Sequence, residues 1–249
     1  MYGRRCLITG ASQGLGYALS HKLALMGASV TLVARNEDKL IRNLETLPTS
    51  ETQSHSIVPY DLNNLLPDMA QESNKNYLKL VDSLKEISVL INCAGITTHS
   101  LLPKLKPATI ASTINLNLTA PILLSQLSYR HMLKKRTANK PVIVNISSVL
   151  SCTGTTLPGT AVYAASKAGL VGFTTSLATE MRGKVRVNAI LPGLISETSM
   201  GAEVNRDLGL SQVSLEDVTD ATVDTILNEE LNGECIIVDQ DGQRLFKFK

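Results

Sequence analysis

Short apolar runs alternate along the chain with longer segments in which apolar residues recur every three or four positions. The short runs are rich in Val, Ile and Leu, which is typical of β-strands. Seven strands are predicted, at 5–9, 29–34, 56–60, 89–92, 142–146, 185–190 and 234–238. Strands that are apolar on both faces suit a parallel sheet covered by helices, so we expect a buried sheet.

The longer segments have helical periodicity. They predict helices over 15–26, 36–47, 77–86, 107–135, 162–182 and 215–227. Regular alternation of strands and helices predicts a single-domain, Rossmann-like α/β fold, a doubly wound parallel sheet of about seven strands with helices on both faces. No repeat or linker interrupts the pattern, so residues 1–249 are expected to form one domain.

Composition excludes several classes of function. Hydrophobic residues make up 43% of the chain and charged residues 18%, which excludes a disordered protein. A net charge of +2 and an aromatic content of 4%, without Trp, argue against a nucleic-acid partner. No uninterrupted apolar run has the length of a membrane helix, so no membrane span is expected.

The cysteines and histidines lack the spacing of a metal site or a disulfide framework. The cysteines are Cys6, Cys93, Cys152 and Cys235, and the histidines are His21, His55, His99 and His131. We therefore expect no metal, and buried thiols in a reducing compartment.

The loop after the first predicted strand, residues 9–16, reads TGASQGLG. Glycines between a strand and a helix let the backbone approach a pyrophosphate, and the helix N-terminus favours the anion. The spacing is GxxxGxG and differs from the GxGxxG fingerprint. A turn that binds nothing is the alternative, but the position after the first strand favours a dinucleotide-binding loop.

The residue after the second predicted strand indicates which dinucleotide is bound. An acidic residue there would hold the ribose 2′-hydroxyl of NAD, whereas Arg35 can accommodate the 2′-phosphate of NADP. The alternative is a solvated arginine at the start of a helix. Asp61, followed by Leu62, is a weaker candidate for the adenine amino group.

Tyr163 and Lys167 share one face of a predicted helix, because they are four positions apart. Ser147 and Ser148 end the fifth predicted strand. Ligand sites in such sheets lie at the carboxyl ends of the strands, so Ser148 and Tyr163 can converge there. The small residues of Asn92-Cys93-Ala94-Gly95 leave space for a cofactor at the end of the fourth strand.

Together these motifs resemble the short-chain dehydrogenase/reductase family over nearly the whole chain. The resemblance is carried by the glycine loop, NCAG at 92–95, Asn117, Ser148, Tyr163, Lys167 and LPG at 191–193. Within the family, the segments 90–95, 143–148 and 158–163 are most similar to 3-oxoacyl-[acyl-carrier-protein] reductases, particularly the fungal mitochondrial type.

The resemblance implies roles for four catalytic residues. Tyr163 would be the general acid in carbonyl reduction, and Ser148 would orient the substrate carbonyl. The Lys167 ammonium would lower the pKa of Tyr163 and hydrogen-bond the nicotinamide ribose. Asn117 would hold a water that links Lys167 to solvent.

Three neighbouring residues compete for these roles. Asn115 is a rival of Asn117, and Ser147 and Ser151 are rivals of Ser148. Ser148 and Tyr163 are 15 positions apart, a longer interval than expected of the bacterial reductases, so the loop between them must bulge.

The resemblance also implies a set of cofactor-binding residues for NADP(H), with Thr198 at the carboxamide. They are Gly10, Ser12, Gln13, Gly14, Leu15, Gly16, Arg35, Asp61, Leu62, Asn92, Ala94, Gly95, Tyr163, Lys167, Pro192, Gly193, Ile195 and Thr198. Gln13 is a departure, since many NADP-using relatives carry a basic residue at that position.

The implied activity is NADPH-dependent reduction of a 3-oxoacyl group on acyl carrier protein to the 3-hydroxyacyl group, in fatty-acid biosynthesis. One alternative is a reductase of free quinones, ketones or sugars, and another is a non-catalytic dinucleotide-binding scaffold. A homo-oligomer, dimer or tetramer, is expected, although the tail at 238–242 lacks the usual Asp-Gly-Gly. The implied compartment is the mitochondrial matrix, with the cytoplasm as the alternative, because no presequence is visible.

Two clusters of basic residues are candidates for contact with the acyl carrier protein. Lys134, Lys135 and Arg136 end one predicted helix, and Arg182 and Lys184 follow another. Acyl carrier proteins are acidic, so a basic rim beside the cleft would steer them. Compensation of the helix dipoles is the alternative. The segment 201–214 is short for a substrate lid, which suits an open cleft.

Overall fold

One mixed sheet of eight strands forms the centre of the protein in the computed structural model, which describes residues 1–71, 73–135, 139–151, 153–202 and 211–246. The strands are Arg5–Thr9 (β1), Ser29–Ala34 (β2), Ser56–Pro59 (β3), Val89–Asn92 (β4), Val142–Ile146 (β5), Arg186–Pro192 (β6), Cys235–Asp239 (β7) and Gly242–Leu245 (β8). Their order is β3-β2-β1-β4-β5-β6-β7-β8, and all neighbours are parallel except β7 and β8. The predicted fold class is confirmed.

Helices cover both faces of this sheet. They are Gly14–Leu25 (α1), Glu37–Glu45 (α2), Leu65–Gln71 (α3), Lys75–Leu84 (α4), Pro107–Ile114 (α5), Ala120–Lys134 (α6), Ala161–Met181 (α7), Ser199–Ala202 (α8) and Leu215–Leu227 (α9). A π-helical turn, Asn115–Thr119, joins α5 to α6, so the long predicted helix is divided into three parts. The sequence did not predict α3, α8 or β8.

Alternate residues of each inner strand enter two separate cores, as the period of a strand requires. Cys6 and Ile8 of β1 pack with α1 and α9 on one face of the sheet. Leu7, between them, packs with α4 and α6 on the other. The strands are buried on both faces, which explains why their sequences read as continuous apolar runs.

The strand order indicates at which edge of the sheet a ligand would bind, and we call this the ligand edge. The chain runs outward through β2 and β3 on one side of β1 and returns through β4 to β7 on the other. In such sheets a ligand lies outside the carboxyl ends of the strands at the point where the order reverses, here between β1 and β4.

One helical stretch, Pro107–Lys134, is long and apolar enough to cross a membrane by length and composition alone. In the fold it is a layer on the sheet, because Leu124 and Met132 are fully buried in the core that α6 shares with β4 and β5. The search for uninterrupted apolar runs did not single it out, since Ser, Thr and Asn interrupt it.

A buried arginine closes the end of α9. The fully buried Arg186 side chain donates to the carbonyl oxygens of Thr225, Ile226, Asn228 and Leu231 at 2.6–3.2 Å. Carbonyl groups at a helix C-terminus have no partner within the helix and attract a cation. Arg186 therefore fastens α9 to the amino end of β6.

We expect Arg186→Met to lower the free energy of unfolding by about 3 kcal/mol or more, because several buried acceptors lose their donor. Urea unfolding followed by circular dichroism measures the change. Lys184→Met, an exposed change two residues earlier, is the matched control and should alter stability by about 0.5 kcal/mol at most. Equal midpoints for the two variants would contradict this role of Arg186.

Candidate active site

A cleft of about 490 Å³ lies at the carboxyl ends of β1, β2, β4, β5 and β6. Its volume is in the range of small-molecule and cofactor sites. The walls include every predicted cofactor-binding residue except Asn92, together with Ser148. Asn92 lies behind the wall, fully buried, where its amide donates to Asn145 at 2.8 Å, and its place in the cofactor set stays a prediction.

The glycine loop forms a cradle in the cleft wall, and it packs too closely against the neighbouring backbone for side chains at Gly10 and Gly16. Gly10 has φ +72°, and a Cβ there would lie 2.9 Å from the Cα of Ala94. A Cβ on Gly16 would lie 2.4 Å from the carbonyl oxygen of Gly10. The bare backbone at the N-terminus of α1 therefore faces the cleft, an arrangement that fits the pyrophosphate of a dinucleotide.

Thr9 joins the two loops that border this cradle. Its hydroxyl accepts hydrogen bonds from the backbone N–H groups of Cys93 and Ala94, both at 3.0 Å. Gly95 continues the second loop beneath the cleft, where an added Cβ would lie 3.4 Å from the Lys167 ammonium. Small residues at 93–95 therefore keep the floor open above the reactive side chains, as the sequence predicted.

Ser148 and Tyr163 meet at the deep end of the cleft. Ser148 follows β5, Tyr163 lies in the first turn of α7, and both residues line the cleft. Burial raises the pKa of the Tyr163 phenol above its ordinary value, while the nearby Ser148 hydroxyl acts in the opposite direction. Tyr163 therefore holds its proton at neutral pH and is poised to donate it.

Lys167 lies one turn along α7 and is almost fully buried. Its ammonium donates to the carbonyl oxygen of Ile146 at 2.7 Å and lies 5.8 Å from the centroid of the Tyr163 ring. Burial lowers the pKa of Lys167 to about 8. A cation beside a phenol stabilises the phenolate form, so this geometry supports proton transfer from Tyr163.

The structure separates the competing serines. Ser147 also lines the cleft, but its hydroxyl donates to the carbonyl oxygen of Lys167 at 2.8 Å. Ser151 donates to the carbonyl oxygen of Ser148 at 2.6 Å. The Ser148 hydroxyl accepts from the N–H of Leu150 at 3.2 Å and, of the three, is the one that affects the pKa of Tyr163.

The structure also separates the two asparagines. Asn115 is exposed, whereas Asn117 is fully buried in the π-helical turn. The Asn117 amide accepts from the N–H of Ile96 at 2.9 Å and donates to the Ile96 carbonyl at 2.8 Å and to Ser166 at 3.0 Å. Its side chain therefore positions the loop beneath Lys167 and does not itself line the cleft.

The long interval between Ser148 and Tyr163 has a structural explanation. A short 3₁₀ turn, Val149–Ser151, follows Ser148, and the chain then crosses to the loop after β4, where the N–H of Ser100 donates to the Gly159 carbonyl at 3.2 Å. Leu157 and Thr160 of this segment wall the outer cleft with His99. The sequence analysis did not single out these wall residues, which are contributed by loops without periodicity.

A lysine that the sequence analysis passed over lies beside Arg35. The Lys39 ammonium, on α2, lies 2.7 Å from the Gln13 side-chain oxygen, and both residues line the cleft with Arg35. Arg35 precedes Asn36, the N-cap of α2, and Lys39 lies in the first turn of that helix, so the fold and not a sequence spacing brings both to one wall.

The basic groups do not form a rim around this cleft, so that expectation was wrong. Helices here run antiparallel to the strands, which places the C-terminal ends of α6 and α7 at the amino ends of the strands, opposite the ligand edge. Lys135 donates to the carbonyl of Glu86, just before β4, and Lys184 comes just before β6. Lys134 and Arg182 share this edge, and Arg136 lies outside the described residues.

Two further expectations involve residues that are only partly described. Cys6 and Cys93 are free thiols, Cys235 is buried, and Cys152 lies outside the described residues. In the described part of the chain, no group of three or more His, Cys, Asp or Glu side chains is arranged to hold a metal ion. Residues 203–210 of the expected short lid also lie outside it.

Comparison with known proteins gives consistent matches. A family model described as short chain dehydrogenase matches residues 4–209. The chain is 38% identical over 220 residues to the 3-oxoacyl-[acyl-carrier-protein] reductase FabG of Thermotoga maritima, covering 86% of this chain and 83% of that protein. It is 30% identical over 249 residues to carbonyl reductase family member 4 of Danio rerio, covering 97% and 99% of the two chains.

A solved structure has the same fold. A 4-hydroxyisoleucine dehydrogenase complexed with NADH matches 95% of this chain and 97% of its own, with a TM-score of 0.79 and 27% identity. The match agrees with the glycine cradle and with the buried Ser148, Tyr163 and Lys167 described above. The chain therefore belongs to the short-chain dehydrogenase family and is an oxidoreductase that acts on CH–OH and C=O groups.

Proposed function

We propose that this protein reduces a 3-oxoacyl group carried on acyl carrier protein to the 3-hydroxyacyl group, with NADPH as the reductant. The observation that carries the proposal is the convergence of Ser148, Tyr163 and the Lys167 ammonium in one wall of a cleft that the glycine loop also lines. The Thermotoga maritima relative supports the choice of substrate, since its name specifies that reaction.

The shape and lining of the outer cleft suit an acyl chain. Beyond Tyr163, the walls carry apolar side chains from the segment after β4, the segment after β5 and α8: Ile96, Val149, Leu150, Leu157 and Met200. An acyl chain gains favourable burial against such walls, whereas a sugar gains less from them. The lining therefore favours an apolar 3-oxo substrate over a polar one.

The coenzyme is NADP(H), which supplies the hydride when it is bound. The glycine loop would hold its pyrophosphate, Arg35 its 2′-phosphate and Lys167 its nicotinamide ribose. These residues meet the requirements of the group, because the tightly packed glycine loop lines the cleft at the N-terminus of α1, beside Arg35 and Lys167 in the same cleft wall.

The protein's own residues orient the substrate carbonyl and transfer the proton. The Ser148 hydroxyl donates a hydrogen bond to the substrate carbonyl oxygen and fixes its direction. The Tyr163 hydroxyl gives that oxygen its proton as negative charge develops there. The Lys167 ammonium stabilises the resulting phenolate, while Asn117 keeps the loop at Ile96 in place beneath Lys167.

Parallel assays test the substrate. Acetoacetyl-carrier, the corresponding short pantetheine thioester and a set of free ketones and quinones are compared by NADPH consumption, with Tyr163→Phe as the background control. We expect kcat/KM to be at least tenfold higher for the carrier substrate, because contacts with the carrier add binding energy to that of the acyl group. Equal or faster turnover of a free quinone or ketone would favour the free-carbonyl reductase, the activity that the Danio rerio relative's name suggests.

The pH profile follows from Lys167. Its pKa of about 8 means that the ammonium is charged below that pH and neutral above it. Since the neutral amine no longer stabilises the phenolate, kcat/KM for reduction should fall as the pH rises through about 8. In Lys167→Arg, whose guanidinium stays protonated, any residual activity should not have this falling limb. A wild-type profile that is level up to pH 10 would contradict the assignment.

The compartment and the assembly remain predictions. We propose the mitochondrial matrix, and the support is the resemblance to the fungal mitochondrial reductases; imaging of the tagged full-length chain checks it. A homo-oligomer is proposed on the same ground, and sedimentation of the purified protein checks it. Cytosolic fluorescence alone, or a monomer at all concentrations, would overturn the respective proposal.

A further inference from the structure

We propose that Lys39 is a specificity-determining residue, the second cation that recognises the 2′-phosphate of NADP(H). The inference rests on the proposed use of that coenzyme. At the expected position of the 2′-phosphate, the positive charge of the protein is too small for the negative charge of the phosphate. Arg35 is 65% exposed there, and its guanidinium lies 3.9 Å from the carboxylate of Asp61. A phosphate monoester carries about −1.5 to −2 charges at neutral pH.

Arg35 alone matches that charge poorly. The nearby Asp61 carboxylate offsets part of the guanidinium charge and would repel the phosphate. Gln13 is also neutral, although many NADP-using relatives carry a cation at its position. A second positive group is therefore required at this corner of the cleft if NADP(H) is to bind selectively.

Lys39 lies where that group is needed. It lines the cleft with Arg35 and Asn36, in the first turn of α2. Its backbone N–H donates to the Asn36 side chain at 2.8 Å, which fixes the start of the helix. Among the described residues, no carboxylate forms an ion pair with its ammonium, so its charge remains available to a ligand.

Gln13 directs the Lys39 ammonium without neutralising it. The Gln13 side-chain oxygen accepts from Lys39 at 2.7 Å, and its amide nitrogen donates to Ser199 at 3.4 Å on the opposite side of the cleft. The glycine loop thus carries a neutral amide that holds a cation contributed by α2. The neighbouring helix thus places a cation beside a loop whose residue at that point, Gln13, is neutral.

Direct binding measurements test the assignment. The dissociation constants of NADPH and NADH are measured by nicotinamide fluorescence for the wild type, Lys39→Met and Lys39→Arg. We expect Lys39→Met to weaken NADPH at least tenfold and NADH less than twofold, and Lys39→Arg to restore most of the loss. Circular dichroism confirms that each variant is folded.

Arg42→Met is the matched control, because it removes one positive charge from the same helix at a position outside the cleft walls. It should leave both constants within twofold of the wild type. A Lys39→Met variant that loses no NADPH affinity, or loses NADPH and NADH affinity equally, would overturn the role of Lys39. Tighter binding of NADH than of NADPH by the wild type would instead refute the use of NADP(H) itself.

Discussion

Replacing Tyr163 by Phe should lower kcat for 3-oxoacyl reduction by about a thousandfold, within the range of general-acid contributions. The substitution removes the hydroxyl that donates the proton and keeps the ring, which is buried in the wall of the cleft. Steady-state kinetics with NADPH and acetoacetyl-carrier measure the loss. The dissociation constant of NADPH should change by less than twofold, because the cradle and the cation at Lys167 remain.

The matched control for this variant is Tyr129→Phe, which removes the same hydroxyl from a tyrosine of α6 that does not line the cleft. It should keep kcat within twofold of the wild type. A Tyr163→Phe enzyme with near-normal turnover would refute the assignment of the general acid.

Replacing Lys167 by Met should lower kcat more than a hundredfold and also weaken NADPH binding about tenfold. Met fills a similar volume but removes both the charge that stabilises the Tyr163 phenolate and the donor expected at the nicotinamide ribose. This double effect distinguishes Lys167 from Tyr163, whose hydroxyl affects turnover alone. The measurements are kcat on a short free thioester and the dissociation constant of NADPH.

Lys134→Met is the control for that experiment, since this exposed lysine lies at the opposite edge of the sheet. It should leave both constants unchanged on the free thioester. Normal NADPH affinity in Lys167→Met, with reduced turnover, would restrict Lys167 to the proton step and contradict its proposed contact with the ribose.

The sheet was predictable because its inner strands are buried on both faces. β1, β4 and β5 are runs of Val, Ile, Leu and Cys with few polar interruptions, and such runs have few alternatives to a parallel sheet. β8 was not predictable, since its four residues, GQRL, are all exposed and contain a single apolar side chain. β8 is held by tertiary contacts that its own sequence does not reveal. Among them, the Arg244 guanidinium donates to the Asp239 carboxylate at 2.6 and 2.7 Å.

The candidate site was predictable where it depends on local spacing. Tyr163 and Lys167 are four positions apart on one helix, and that helical spacing alone places them together. The choice among Ser147, Ser148 and Ser151 was not predictable. The choice depends on which hydroxyl already donates a hydrogen bond to a backbone carbonyl. The carbonyl that accepts from Ser147 is twenty positions away in the sequence.

The remaining errors have the same origin. Lys39 and Gln13 are 26 positions apart, so their contact cannot be read from either segment alone. Basic residues at the ends of two helices look like a docking rim when only their charge is considered. The edge of the sheet at which these basic residues lie is determined by the direction of their helices, which run antiparallel to the strands. The residues therefore lie at the edge opposite the cleft.

The central claim is that this cleft reduces a carrier-borne 3-oxoacyl group with NADPH, using the proton of Tyr163. The most direct test is a single-turnover reaction of acetoacetyl-carrier with enzyme-bound NADPH, with the carrier analysed by intact-mass spectrometry. We predict one 3-hydroxybutyryl-carrier for each NADPH consumed, heavier than the substrate by two hydrogens, and almost none with Tyr163→Phe. An unchanged carrier mass with folded, NADPH-loaded wild-type enzyme would contradict the account.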